Sequence, residues 1–445
     1  MAHPAHLEAL QNGTWNAFRS RYAQVTPDFI GAPLGGRDLS GLDFKDADFQ
    51  GADLRGARLL RCTLAGAKFQ KALLEGADFS GAEVSGAAFD GLDLSRAVFS
   101  DARLQKVTFR GCRMDKASFD GAQALSCDFG GAAGAAAGFR KFSGESCDFR
   151  QARLPSSDWT SCDLKETDLS GAALIGASFE KAAWTKVRMD GGSLESSRFS
   201  DASLAGCSLI RVAFDSALFS ATRLTETLFR DNHFIKAAFQ GQSFGGAKFE
   251  ACQFGGSTLR EADFGGGKFS DCLFQGLTFT SAKLKDASFQ KCNFSAADFS
   301  GCLVHRAVFK SCEFRETNFD RVRMKESDFS GSLWHKAACR GAVMDGVALS
   351  RAAFLSSAAE GSSFLSCDMT EFRARGSQFK GCRFNGCVLT KARLWQCGLE
   401  ACDFSQAVLR GTSFKKSALK GARLPSPLWW RFRIAVSNLT PIKED

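Results

Sequence analysis

Several residue types and features common in other folds are scarce in this sequence of 445 residues. It contains one Tyr, five His and seven Pro. No stretch reaches the roughly 18 apolar residues that a membrane-spanning helix needs. Residues 1–15 have neither the basic segment nor the apolar core of a secretory signal peptide. These absences favour a cytoplasmic protein with no transmembrane segment, and they do not speak against secretion through a specialised apparatus.

Phe, Gly and Cys are abundant instead, with 43, 44 and 17 copies. An odd number of Cys without a secretory signal argues against a disulfide framework. The net charge of +9 is unevenly distributed. Residues 282–445 carry about +11 and residues 1–281 about −2, by counting side chains. The basic surplus therefore belongs to the C-terminal third of the chain.

A five-residue period runs from Leu39 to Leu424. Every fifth residue in this span is hydrophobic except Gly134 and Gly144, and 38 of the 43 Phe occupy this one phase. The residue two places before each of these centres is nearly always small, and neither position is charged. Two inward residues separated by one outward residue indicate a three-residue strand, and the remaining two residues have the composition of a corner. The pattern therefore predicts a solenoid whose coils pair only with their neighbours.

Segments such as ADFQGADLRG (47–56) and ADFSG (77–81 and 297–301) resemble the pentapeptide repeat family. The resemblance implies an all-β fold, a right-handed quadrilateral β-helix with four pentapeptides in each coil. At roughly 4.8 Å between stacked strands, about 19 coils would make a rod about 90 Å long. Four Cys-x-Phe units centred on Cys252, Cys272, Cys292 and Cys312 recur every twenty residues, which independently favours four pentapeptides per coil. We expect these Cys to be buried free thiols that fill space beside Phe.

The sequence divides into three segments under this interpretation. Residues 1–38 form a leader with a helical cap, residues 39–424 form the repeat array, and residues 425–445 form a C-terminal cap. Caps are expected because a stack of coils otherwise leaves unpaired edges. The aromatic residues predicted to cover the ends are Trp15, Phe18, Trp429 and Trp430. Irregular coils are expected near 123–145 and 355–375, where Gly144 and Ala374 lack a large centre and Phe142 and Phe372 compensate.

No arrangement of residues indicates catalysis. The five His are scattered, with His3 and His6 in a terminus expected to be mobile, and no pair could share a metal ion. No phosphate-binding or dinucleotide-binding loop stands out, because the many Gly are corner residues. We therefore expect a protein that is not an enzyme and that holds neither a metal nor a cofactor.

The C-terminal end of the array is rich in basic residues. These residues could bind an acidic protein, a nucleic acid or an anionic lipid surface, or they could simply form a solvated face. Trp395 is the outward aromatic residue in this region, which gives little support for base stacking. A membrane-surface or partner-docking helix is the alternative to a cap for residues 425–445. The candidate binding residues are Arg373, Arg375, Lys380, Arg383, Lys391, Arg393, Lys415, Lys416, Lys420, Arg423, Arg431 and Arg433.

The leading functional hypothesis is a non-catalytic, rod-like scaffold or adaptor that presents protein-binding faces. Oligomerisation through the caps is compatible with it. Family resemblance adds two alternatives, which are a bacterial secretion-associated effector or accessory protein and a DNA-mimicking protein that protects DNA gyrase. A positive net charge disfavours the second, since a mimic of DNA needs an acidic surface.

Overall fold

The computed structural model describes residues 2–425. The predicted C-terminal cap, with Trp429, Trp430, Arg431 and Arg433, lies outside the described residues. The chain forms two compact units, Met1–Leu228 and Phe229–Asp445. Each unit consists of short parallel strands, which confirms the predicted all-β solenoid.

Paired residues in neighbouring coils are twenty positions apart in both units. The pairs run from Asp28↔Asp48 to Ser203↔Arg223 in the first unit and from His233↔Gln253 to Asp403↔Arg423 in the second. At twenty residues a coil, residues 28–223 make about ten coils and residues 233–423 between nine and ten. Four pentapeptides therefore form one coil, as predicted, and the coil count differs slightly from the expected 19.

The strands are three residues long and are numbered in chain order. In the first unit one sheet contains β1 (Glu83–Ser85), β2 (Arg103–Gln105), β3 (Gln123–Leu125), β4 (Ser143–Glu145), β5 (Asp163–Lys165), β6 (Ala183–Thr185) and β8 (Ser203–Ala205), and a second pair contains β7 (Arg188–Asp190) and β9 (Ser208–Ile210). β10 (Leu228–Arg230) contains the residues at which the chain divides into the two units.

Three sheets belong to the second unit. The first contains β11 (Lys248–Glu250), β12 (Lys268–Ser270), β13 (Ser288–Gln290) and β15 (Val308–Lys310). The second contains β14 (Leu303–His305), β17 (Arg323–Lys325), β19 (Val343–Asp345) and β21 (Ser363–Leu365). The third contains β16 (Glu313–Arg315), β18 (Leu333–His335), β20 (Ala353–Leu355), β22 (Arg373–Arg375) and β23 (Arg393–Trp395).

Corners interrupt the strands after every third residue. The residue two places after each centre, the first after the strand, frequently adopts a positive φ, for example 57° at Asp46 and 66° at Gly81, and Gly is frequent there because it has no Cβ to clash. An Asp at the position just before a centre stabilises the following corner through a hydrogen bond to the backbone. The Asp298 carboxylate accepts a hydrogen bond from the Ser300 backbone N–H at 2.9 Å. This local bond explains why Ala-Asp-Phe-Ser-Gly recurs in the sequence.

The interior of each unit is built from stacked aromatic rings. Phe99 and Phe119, one coil apart, stack with ring centroids 4.9 Å apart and planes 2° apart. Phe109, on the opposite side of the coil, meets Phe99 edge to face at 5.5 Å and 84°. Both arrangements are favourable for aromatic quadrupoles. The single phase of Phe in the sequence therefore becomes columns of buried rings.

Two short helices cover the first coil, as predicted. They are α1 (Pro4–Gln11) and α2 (Trp15–Arg21). Trp15 is fully buried, packs against Phe29 and Phe44, and donates a hydrogen bond from Nε1 to the Asp43 carbonyl at 2.7 Å. Pairing begins at Asp28, so the array starts earlier than the predicted boundary at residue 39.

The expectation that His6 lies in a mobile terminus is wrong. Its side chain is 3% exposed, and Nδ1 accepts a hydrogen bond from the Asp28 backbone N–H at 3.0 Å. The imidazole also contacts the rings of Trp15, Phe18 and Phe29. Burial lowers the pKa of His6. His6 therefore anchors α1 to the first coil.

Irregular coils are predicted near 123–145 and 355–375, and in the first segment the Gly134 backbone approaches the preceding coil closely, because a Cβ there would lie 2.3 Å from the Met114 carbonyl carbon. Parallel pairs keep their twenty-residue offset through both segments. Phe142 is fully buried, and a Cβ on Gly144 would lie 2.8 Å from its Cε1. A change of side-chain volume between neighbouring inward positions therefore preserves the backbone. The second segment makes the same exchange with Phe372 and Ala374, both buried.

Backbone irregularity also occurs at Gly192, which takes a small inward position in the first unit. Its φ is 105°, and a Cβ there would lie 2.4 Å from the Ala172 carbonyl oxygen. The Gly171 N–H lies within hydrogen-bond distance of the Asp190 and Gly191 carbonyls, at 3.2 and 3.1 Å. Only Gly fits this conformation without displacing the neighbouring coil.

Candidate binding face on the second unit

The predicted basic residues do not form one cluster, because equivalent positions in neighbouring coils are twenty residues apart and the residues between them lie on other sides of the coil. Arg373, Arg375, Arg393 and Lys415 share one side of the second unit with Trp395. We call these five residues the Trp395 face. The others lie elsewhere on the coil, namely Arg383 with Arg423, Lys380 with Lys420, Lys391 at a corner, and Lys416 at the corner that follows Lys415.

Strands β22 and β23 set the positions of the face. Arg373 is paired with Arg393, and Arg375 is paired with Trp395. In the next coil Ser413 pairs with Arg393. Alternation places the side chains of the first and third strand residues outward and buries the centres, Ala374 and Leu394. The four cations and the indole therefore project from one sheet surface.

Trp395 is held in a fixed orientation and is 36% exposed. Its Nε1 donates a hydrogen bond to the Ser413 hydroxyl at 3.0 Å. The Arg393 guanidinium carbon lies 5.7 Å from the ring centroid and the Lys415 ammonium 5.9 Å from it. Both distances are within the range of cation–π attraction. The indole thus holds the two cations beside it.

The cations of the Trp395 face lack acidic neighbours. Within residues 2–425, none of the four has a carboxylate oxygen within 4.0 Å of its charged nitrogens, and Arg375 Nε donates a hydrogen bond to Gln396 Oε1 at 3.1 Å. Elsewhere in the same unit Arg351 pairs with Glu371 at 3.2 Å and Arg306 with Asp286 at 2.8 Å. The positive charge of this face is therefore uncompensated.

Other predicted basic residues lie near acids. Asp403 occupies the coil between those of Arg383 and Arg423. Hydrogen bonds from Ser405, together with the charges of both Arg, lower the pKa of the Asp403 carboxyl. The carboxylate is thus ionised at neutral pH and offsets part of their charge. Glu400 similarly lies in the coil between those of Lys380 and Lys420.

The same sheet is largely apolar on the two coils before the Trp395 face, where His335 is the polar residue among the outward strand positions. Leu333 and Leu355 point outward from β18 and β20, and Leu333 is 36% exposed. Ala353, half-buried, lies between Leu333 and Arg373 in the register, and Leu355 lies between His335 and Arg375. One flat surface therefore changes from apolar to basic along the stack of coils.

The Cys residues are structural. All 17 are free and buried. In the predicted column, the Cys272 thiol donates to the Phe249 carbonyl at 3.4 Å and the Cys312 thiol to the Phe289 carbonyl at 3.7 Å. Burial raises the pKa of both thiols. Among the residues that the structure describes, no group of three or more His, Cys, Asp or Glu could hold a metal ion.

A groove of about 590 Å³ lies on the first unit, over β1 to β4. Its polar lining includes Ser85, Gln105, Gln123 and Ser143. The inward residues beneath it shrink from Leu104 to Ala124 and Gly144 in successive coils. The groove therefore overlies coils whose inward side chains become successively smaller.

The repeat spacing in the sequence is sufficient to assign each basic residue to a side of the coil. Spacing by twenty assigns Arg373 and Arg393 to one side and Arg383 to another. Reading the basic residues as a run along the chain missed this division. The twenty-residue spacing also shows why the face has no neighbouring acid, because no Asp or Glu occupies the outward strand positions from 333 to 415 on that side.

No helix within residues 2–425 is long and apolar enough to cross a membrane.

Two family models match the chain. The model described as "Pentapeptide repeats (8 copies)" matches residues 28–64, 57–96, 93–131, 145–180 and 387–424. The model described as "Pentapeptide repeat region" matches 242–319 and 263–338. Together these matches cover more than half of the chain. No curated protein matches it.

Solved structures similar to the chain include QnrB1, a plasmid-mediated fluoroquinolone resistance protein. Its identity is 20%, the match covers 49% of this chain and 90% of that one, and the TM-score is 0.22. HetL from the cyanobacterium Nostoc sp. strain PCC 7120, a protein involved in heterocyst differentiation regulation, is 24% identical over 55% of this chain and 94% of its own, with a TM-score of 0.20. A pentapeptide repeat protein of the Arabidopsis thaliana thylakoid lumen is 24% identical over 32% of this chain and 77% of its own, with a TM-score of 0.13.

Proposed function

The chain belongs to the pentapeptide repeat family, and we propose that it is a non-catalytic scaffold or adaptor that binds another protein through an outward face of its coils. The observation that carries this proposal is the Trp395 face. Four cations with no carboxylate within 4.0 Å share a sheet surface with a partly exposed tryptophan, and two of them lie within 6 Å of its ring. Tryptophan and arginine are the residues that most often dominate binding energy at protein interfaces.

Regular packing elsewhere supports a scaffold rather than an enzyme. Inward positions are filled by stacked rings and small residues, and the Cys are buried. The groove over β1 to β4 is lined by amides and hydroxyls, with Glu83 paired to Arg103 at 3.3 Å. Catalysis by these groups would need a positioned acid, base or nucleophile with a perturbed pKa.

Affinity purification from the native cell tests the proposal. The full chain, tagged at its N-terminus and cross-linked in the cell, should recover the same protein in independent experiments. A charge-matched pentapeptide repeat protein with no counterpart of the Trp395 face serves as the control. Recovery of no protein beyond the control would overturn the scaffold proposal.

Recovered complexes should also be treated with nuclease before analysis. A partner held through direct protein contact remains after this treatment. A partner lost after digestion would place nucleic acid between the two proteins and would contradict direct protein binding.

A further inference from the structure

We propose that the Trp395 face, together with Leu333, Ala353 and Leu355 beside it, binds an extended segment of a partner protein in which acidic residues adjoin apolar ones. This inference rests on the proposed function and names the surface and the chemistry of its partner. It concerns the outward surface of β18, β20, β22 and β23.

Acidic side chains are the first requirement, because the basic half of the surface is electrostatically incomplete. Arg373 lies directly opposite Arg393. Like charges in this position destabilise a sheet. A carboxylate between the two guanidinium groups would remove the repulsion and accept charge-assisted hydrogen bonds from both.

Spacing favours an extended polypeptide. Arg373 and Arg375 are two residues apart on one strand, which places their Cα atoms roughly 6.6 Å apart. Alternate residues of an extended partner segment project carboxylates at the same interval. Backbone hydrogen bonds of β22 are already made with its neighbours on both sides, so the partner docks on side chains rather than by adding a strand.

Apolar residues are the second requirement and favour protein over nucleic acid. Leu333 and Leu355 lie on the same surface as the cations. A nucleic acid backbone would cover the cations and leave these leucines in contact with phosphates and water. Base stacking on Trp395 is also hindered, because Arg393 and Lys415 already lie over the indole ring.

Fluorescence anisotropy with a defined probe tests the inference. The probe is a labelled synthetic peptide that alternates Glu with Ser in its first half and Leu with Ser in its second. Full-length protein should bind this peptide at least about tenfold more tightly than the version with Gln in place of Glu, a difference of about 1.4 kcal/mol. Equal binding of the two peptides would overturn the inference.

Matched variants locate the binding. R373Q/R375Q/R393Q should weaken peptide binding at least about tenfold. K380Q/K420Q/R423Q removes the same charge from other sides of the coil and should change binding less than about twofold. Equal losses in both variants would show attraction to net charge alone and would overturn the assignment. Thermal unfolding of both variants checks that each is folded.

Leu355→Ser tests the apolar half. It should weaken binding of the Glu–Leu peptide about threefold and leave a peptide that carries Glu and Ser alone unaffected. Tighter binding of single-stranded DNA or of phosphatidylglycerol vesicles than of the Glu–Leu peptide would assign the face to nucleic acid or membrane and overturn the inference.

Failure of this inference is distinguishable from failure of the proposed function. If R373Q/R375Q/R393Q still recovers the native partner in full, the scaffold stands and the Trp395 face is not its docking surface. If the full chain binds the peptide with the expected charge dependence but recovers no cellular protein, the assignment of the Trp395 face as a peptide-binding surface is supported and the scaffold proposal fails.

Discussion

Arg373 and Arg393 lie directly opposite one another in neighbouring parallel strands, although both are positively charged and exposed. Like-charge pairs in this position cost stability. Trp395 and Gln396 help to hold the guanidinium groups of Arg393 and Arg375, through the 5.7 Å cation–π contact and the 3.1 Å hydrogen bond. The arrangement thus concentrates positive charge at positions where it does not increase the stability of the fold.

Substitution of Arg373 by Glu should stabilise the second unit. Glu at this position faces Arg393 and replaces a repulsive pair with an attractive one, worth about 0.5–1 kcal/mol. Thermal unfolding should show a higher Tm, while binding of the acidic peptide falls. Arg375→Glu is the control, because position 375 faces Trp395 and gains no ion pair across the strands. A lower Tm for Arg373→Glu than for the native protein would contradict the repulsion.

Gly192→Ala should destabilise the first unit by at least about 2 kcal/mol. The new Cβ would lie 2.4 Å from the Ala172 carbonyl oxygen, and the neighbouring coil would have to move. Gly191→Ala is a closely matched control. Gly191 also has a positive φ, 72°, but a Cβ there meets nothing within 4 Å. It should cost about 1 kcal/mol, the strain of the left-handed conformation alone. Equal shifts in Tm for the two variants would contradict the steric explanation.

Phe142 and Gly144 should behave as a coupled pair. Phe142→Ser leaves a cavity beside Gly144, and Gly144→Phe places a second ring where a Cβ already lies 2.8 Å from Phe142. Each single substitution should cost about 3 kcal/mol. The double substitution restores the usual order of a small residue followed by a large centre and should recover most of that loss. Additive losses in thermal unfolding would show that the two positions are independent.

Much of the fold could be predicted from the sequence because the five-residue repeat is so regular. The phase of Phe and the twenty-residue spacing of Cys252, Cys272, Cys292 and Cys312 predicted the side of the coil on which each residue lies. The many Ala and Gly at residues 130–138 contributed to the prediction of an irregular coil, although parallel pairing is preserved there. Beyond that segment, the buried ring of Phe142 fills the space beside Gly144 that a large centre would otherwise occupy.

Prediction of the candidate face was less complete, because charge was summed along the chain. Arg383 and Arg393 are close in sequence but lie on different sides of the coil. Burial of His6 was missed for another reason. Its position follows from contacts with Asp28 and Phe29 across the first coil, which no local periodicity encodes.

Thiol chemistry should distinguish the folded from the unfolded protein. All 17 Cys are buried, and burial raises the pKa of Cys62 to about 11 and of Cys112 to about 12. Native protein should therefore react negligibly with a thiol reagent such as Ellman's reagent, even at about pH 9. Denatured and never-oxidised protein should release one equivalent for each of the 17 Cys. Rapid reaction of the native protein would contradict the packing of the Cys columns.

The N-terminal cap should loosen at acidic pH because of His6. Burial is the main cause of the lowered pKa of His6, the charges of His3 and Arg19 act in the same direction, and Asp28 opposes them. The unfolded chain therefore takes up a proton before the folded chain as the pH falls below the ordinary value of 6.5. Stability from His6 is complete above that value and declines as the pH approaches the lowered pKa of the folded state.

Hydrogen exchange of residues 4–21 measures this effect. Protection of α1 and α2, corrected for the intrinsic pH dependence of exchange, should fall between about pH 7.5 and about pH 5.5. Coils distant from the cap should keep their protection from exchange over the same pH range. His6→Gln retains a hydrogen-bond acceptor for the Asp28 N–H but cannot gain a proton, so its cap should respond much less to pH. Because the His6 ring packs against Trp15, Phe18 and Phe29, the variant should also be less protected than the native cap at neutral pH. An unchanged pH response in His6→Gln would assign the loosening to another group.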